Sequence, residues 1–153
     1  MIWQLAGTRC FSYDKVMRRT EELVHEAYYV HNWNCARTAL LALGDAFGVS
    51  IGAQLWNAAV GMHGAGGHRD QCGLVEGSLL FLGLYYSERG WDEKRIVTLC
   101  NQYAEAFVRE FGSLRCRELR PGGFSDHDPP HLCENLTVRA INFAKTFIEK
   151  QTP

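Results

Sequence analysis

Along most of this chain the apolar positions recur at steps of three and four residues, the period of an α-helix, and the breaks between runs carry capping residues. Val16, Thr20, Leu23, Ala27 and Val30 share one face of a helix expected from about Tyr13 to His31. Asn34 suits the N-cap of a second helix, Cys35 to about Phe47, which Gly48 ends. A third segment, about Gly52 to Met62, stops in the glycine cluster Gly61, Gly64, Gly66 and Gly67. Asp70 is placed to cap a fourth helix, Cys72 to about Arg89, closed by Gly90. Asp92 opens a fifth, with Ile96, Cys100, Tyr103, Phe107 and Phe111 on one face and Gly112 beyond its end. After a loop from Arg117 to Pro130, Asp128 and Pro129 predict the start of a sixth helix with the face Cys133, Leu136, Ala140, Phe143 and Phe147. Nowhere does the pattern alternate with a period of two. The expected fold is all-α, a single-domain bundle of about six helices over residues 1–153, with residues 1–12 as an N-terminal arm.

Composition removes several function classes. A chain of 153 residues, 46% hydrophobic and 22% charged, can bury one core without staples. Its 16 Lys and Arg against 17 Asp and Glu leave a formal net charge of −1. Nucleic-acid binding is not expected without a basic excess or stripe. The greasiest stretch, Leu74 to Tyr86, contains Glu76 and falls short of the roughly 20 residues needed to cross a bilayer. It reads as a buried helix, so no membrane insertion is expected. The opening MIWQLAGTRCFSYDK has none of the features of a secretory signal, which points to a reducing cytoplasm. The turn Gly64-Ala65-Gly66-Gly67 fits neither the dinucleotide nor the P-loop pattern.

Six cysteines in such a compartment point to reactive or metal-bound thiols rather than structural disulfides. Cys35, Cys72 and Cys133 each fall near the expected start of a helix, where unpaired N–H groups and about half a positive charge lower a thiol's pKa. Cys116 lies in the loop after the fifth helix. Cys100, on an apolar stripe, reads as core, and Cys10 in the arm as incidental. Cys133 also fits an apolar stripe, and no Cys-x-x-Cys pair occurs, so spacing alone is a weak metal signal.

Four stretches resemble the family of redox-active proteins named for the pattern C…GCAxxG…C…C. They are Asn34-Cys35-Ala36, Gln71-Cys72-Gly73-Leu74-Val75-Glu76-Gly77, the segment Phe111 to Leu119 around Cys116, and His131-Leu132-Cys133. The resemblance covers most of the chain after about Asp14. Gln71 and Gly73 depart from the central motif, where the family has glycine and alanine, and His63 and His68 flank the glycine turn. The resemblance implies a redox role, electron transfer with a separate redox partner protein, and it extends to the iron–sulfur portion of split-Soret cytochromes. The chain lacks Cys-x-x-Cys-His, which excludes covalent c-type haem.

Cys35, Cys72, Cys116 and Cys133 match the ligand count of a [2Fe–2S] cluster. Gly64, Gly66, Gly67 and Gly73 are expected to let backbone amides approach its sulfurs. His63 and His68 are candidate accessory groups, and Glu76 is expected to pair with a cation such as Arg37 or to gate protons. Two other readings stay open: a thiol–disulfide or sensor protein using Cys35 and Cys72, and a structural zinc module. Four tryptophans and six tyrosines are compatible with an aromatic homodimer interface.

Overall fold

The computed structural model describes residues 19–151. The N-terminal arm, Cys10 and the first part of the helix expected from Tyr13 lie outside them. The elements follow in the order α1 (Thr20–Tyr29), α2 (Cys35–Phe47), α3 (Ala53–Ala58) with a 3₁₀ turn (Ala59–Gly61), α4 (Gly64–Gly67), α5 (Gly73–Ser87), α6 (Glu93–Phe111), α7 (Cys116–Leu119) and α8 (Glu134–Glu149). The fold is the expected all-α bundle, and the β-structure among the described residues is one isolated antiparallel bridge, Gln71 to Arg115. No helix among the described residues is long and apolar enough to cross a membrane.

The capping signals explain where the long helices begin and end. Asn34 accepts a hydrogen bond from the Arg37 amide, and Asp92 accepts one from the Arg95 amide. Gly48 and Gly112 end α2 and α6 in the left-handed conformation. The end of α1 uses asparagine instead: Asn32 sits at φ 51°, and the Trp33 amide reaches back 2.9 Å to the Ala27 carbonyl. With the Asn32 amide bonded to the Tyr28 carbonyl, this αL-type reversal closes α1 at Tyr29, two residues before the expected His31, and feeds the chain directly into the Asn34 cap. The Asn34 amide nitrogen also donates to the carbonyls of Ala59 and Val60, tying the start of α2 to the 3₁₀ turn.

The helix expected to start at Asp128 and Pro129 begins only at Glu134. Asp128 is otherwise engaged, since its carboxylate accepts from the Ser125 amide and pairs with Arg120. His131 then takes a left-handed φ of 57°, which no helix can continue through. Likewise Asp70 does not cap the fourth helix; Cys72 itself occupies the N-cap of α5.

Helix α5 lies at the centre. Leu74, Val75, Phe81, Leu82, Tyr85 and Tyr86 bury it on several sides, and it packs against α2, α6 and α8. An aromatic seam joins α6 to α8, where Tyr103 meets Phe143 and Phe147. Cys100 packs half-buried against the core, as its place on the apolar stripe predicts. The α2–α5 contact is the closest: a Cβ on Gly77 would collide with the Ala36 carbonyl oxygen. Because that obstacle is backbone, it has little room to yield.

Gly77→Ala should therefore destabilise the fold by about 1–3 kcal/mol, even though alanine favours a helix interior by about 1 kcal/mol over glycine. The urea midpoint reads this directly, and an unchanged or raised midpoint would show that α2 and α5 are less tightly apposed.

Candidate functional site

Each of the four family-type cysteines stands at the start of a helix. Cys35 is the first residue of α2 and Cys116 the first of α7, while Cys72 and Cys133 are the N-caps of α5 and α8. The capped reversal at Asn32 and Asn34 presents Cys35 beside the first turn of α5. There Gly73 leaves room for it, since a Cβ on Gly73 would collide with the Cys35 sulfur and stand 2.8 Å from the Met62 carbonyl.

Cys72 and Cys116 are joined by a short run of backbone pairing. The Cys72 amide donates to Leu114 (2.8 Å), the Cys116 amide to Asp70 (2.6 Å) and the Arg117 amide to Arg69 (3.1 Å). The Asp70 carboxylate reinforces the run from the side, 3.6 Å from Arg115 Nε and 3.9 Å from Arg117 Nη2. This pairing settles the position of Cys116, and no periodicity announces it.

Cys35, Cys116 and Cys133 line one cavity of about 400 Å³, together with Tyr28, His63, His131, Arg69, Arg120 and Phe124. Cys72 is only 4% exposed and lies in electrostatic range of the other three. The four sulfurs thus converge on one region. Among the described residues, no group of three or more His, Cys, Asp or Glu side chains is arranged to hold a metal ion. Three of the thiols share the pocket, Cys72 is buried nearby, and the four are not drawn together to coordination distance.

Their electrostatics reverse a sequence expectation. Helix starts were expected to lower these thiol pKa values, yet all four are raised. Burial is the leading cause at each. At Cys35 the charges of Cys72, Cys116 and Cys133 add to it. The Cys72 thiol is pushed up to about 12 by burial, with the Leu74 and Val75 amides pulling the other way. Desolvation of a thiolate outweighs the dipole of one helix end. Arg120 opposes the rise at both Cys116 and Cys133.

The accessory candidates divide. His63 lines the cavity, whereas His68 is exposed and does not. Gly64 is buried and packs toward Cys116: a Cβ there would stand 3.7 Å from the Cys116 Cβ. Gly67 also lines the cavity, but Gly66 faces open space and serves the turn through its positive φ. Glu76 does not pair with Arg37. Arg37 donates to the Trp56 carbonyl and lies over the Trp56 ring, while Glu76 Oε2 is buried without a hydrogen-bond partner among the described residues. Burial raises the Glu76 carboxyl pKa.

Several site residues escape a reading by periodicity. His131 stacks on Tyr28 with ring centroids 4.7 Å apart, and Tyr28 in turn shares a 2.6 Å hydrogen bond with Thr137. Arg69 and Arg120 both lie against the Phe124 ring. The only sequence signal for these residues is their nearness to a cysteine.

Raised thiol pKa values have a definite consequence for stability. Between the unfolded value of 9.0 and the folded value of about 12, Cys72 keeps in the folded state a proton that the unfolded chain gives up. Its contribution is present below about pH 9 and is lost as the pH rises toward about 12. The urea midpoint of reduced, metal-free protein should fall between about pH 8 and about pH 10.5, and less steeply in Cys72→Ala. Equal slopes in the two proteins would show that Cys72 is not held protonated.

Comparison with known proteins places the chain in a family named for its cysteine pattern. The model of the family described as "Putative redox-active protein (C_GCAxxG_C_C)" matches residues 33–147. An uncharacterized protein of Archaeoglobus fulgidus is 25% identical over 150 residues, covering 90% of this chain and 96% of that protein. No solved structure matches the chain. With the family model spanning residues 33–147 and all four cysteines of the pattern inside that span, this chain belongs to the C_GCAxxG_C_C family of redox-active proteins.

Proposed function

We propose that Cys35, Cys72, Cys116 and Cys133 hold a [2Fe–2S] cluster and that the protein transfers electrons to or from a separate redox partner. The observation that carries this reading is that three thiols line one pocket with two guanidinium groups while the buried Cys72 lies in electrostatic range of all three, each of the four from a different helix start. The donor set suits the group: four sulfur ligands are what such a cluster takes. A cluster with four thiolates is anionic when oxidised and costly to bury alone. Arg69, Arg120 and the amides at the start of α5 supply positive potential on the protein side. When bound, the cluster would supply one-electron transfer. The chain's own part is to hold the sulfurs, exclude water from Cys72 and offset the charge.

The thiol–disulfide alternative calls for low-pKa thiols at Cys35 and Cys72, and both are raised. Burial that hinders a free thiolate is less of an obstacle to metal binding, because the metal displaces the proton. A structural zinc site would use the same four sulfurs and is separated from the cluster reading by experiment.

Protein purified without oxygen should be brown, carry about two irons per chain and give an EPR signal on reduction. Replacing any one of the four cysteines with serine should reduce iron content or destabilise the centre, whereas Cys100→Ser should leave iron content unchanged. Colourless protein that anaerobic reconstitution with iron and sulfide does not change would remove the cluster reading. One tightly held zinc with no redox transition would replace it with the structural one.

A further inference from the structure

Arg120 is held more firmly than its position on a loop suggests. It follows the short helix α7, one turn after Cys116, and its amide donates to the Cys116 carbonyl at 3.0 Å. Its Nε and Nη2 donate to Asp128 Oδ2 at 3.3 and 3.1 Å. Asp128 is itself fixed, because the same oxygen accepts the Ser125 amide at 2.9 Å. The guanidinium carbon lies 4.6 Å from the centre of the Phe124 ring. Both partners of the ion pair are largely shielded, with 16% and 22% of their side chains exposed, so solvent screens this pair less than an open surface pair.

The fork has one more nitrogen than the ion pair uses. Nη1 points at the Cys133 sulfur at 3.9 Å, the long end of a hydrogen bond to sulfur. One side chain therefore starts beside Cys116, is clamped by the loop between the last two cysteines, and ends on Cys133. A lysine would bring the charge, but it lacks the planar fork that meets a carboxylate and a sulfur together.

We infer that Arg120 is a positioning residue of the four-cysteine site: clamped by Asp128 and Phe124, it donates to the Cys133 sulfur and offsets the negative charge that the thiolates gather. The inference rests on the metal-holding reading above and extends it to a residue outside the cysteine pattern. Asp128 acts through Arg120, and the Arg117–Pro130 segment is more than a connection between helices.

The test uses cobalt(II) as a probe in reduced, metal-free full-length protein, followed by the iron-loaded protein. Arg120→Gln should weaken cobalt binding about 10–100-fold, the usual effect of losing a group that supports a metal ligand. Arg120→Lys should recover part of that loss. Asp128→Asn, which keeps the arginine but loosens its clamp, should fall between Arg120→Gln and wild type. In iron-loaded protein, Arg120→Gln should make the reduction potential more negative, because a cation and a donor to sulfur are both removed. A purely structural role would change the urea midpoint without this ordering and without moving the potential. A folded Arg120→Gln protein with unchanged cobalt affinity and potential would overturn the inference. If Arg120→Gln does not fold, the lysine and Asp128→Asn variants decide by the same ordering. Wild-type protein that takes cobalt but not iron would sink the cluster reading and leave the cobalt series to judge Arg120. Wild-type protein that takes neither would overturn both.

Discussion

The close approach of α2 to α5 at their first turns is the constraint from which the site follows. Two glycines permit it. A side chain at Gly77 would strike the Ala36 carbonyl, and one at Gly73 would strike the Cys35 sulfur. With both absent, two helices that are far apart in sequence begin side by side, and Cys35 comes within electrostatic range of Cys72. Glycine at position 73 gives the Cys35 sulfur space against the start of α5 that any side chain would occupy.

A second organising force is charge. Four thiols in one mostly buried region resist ionising, because each thiolate loses solvation and several feel the charge of the others. Amides at the start of α5 and the guanidinium of Arg120 work against that resistance without cancelling it. A site of this kind is poorly suited to free thiolate chemistry at neutral pH. A bound metal, which takes the place of the protons, changes that balance. The same local potential that opposes bare thiolates would set how much negative charge a bound centre could carry, and the cationic groups of the loops contribute to it.

Much of the scaffold could be read from the residues. Asn34, Gly48, Asp92 and Gly112 act where their cap chemistry places them, and the apolar run around Leu74 to Tyr86 is the central helix. The errors are concentrated near the site. Asp70 and Asp128 look like helix caps, but Asp70 is drawn into ion pairs with Arg115 and Arg117 from another segment, and Asp128 into one with Arg120 across its own loop. Glu76 and Arg37 have complementary charges, yet Arg37 is occupied by Trp56. In each case a local preference met a partner that only the folded chain supplies.

Taken alone, the sequence determined the helical class, most helix ends and the four cysteines that match a family pattern, because periodicity and capping act over a few neighbouring residues. Tertiary structure decided that three of those cysteines line one pocket with Cys72 in electrostatic range, that their pKa values rise and that Arg120 reaches Cys133. These depend on burial and on contacts between segments distant along the chain. Neither is encoded in the spacing of residues within any one helix.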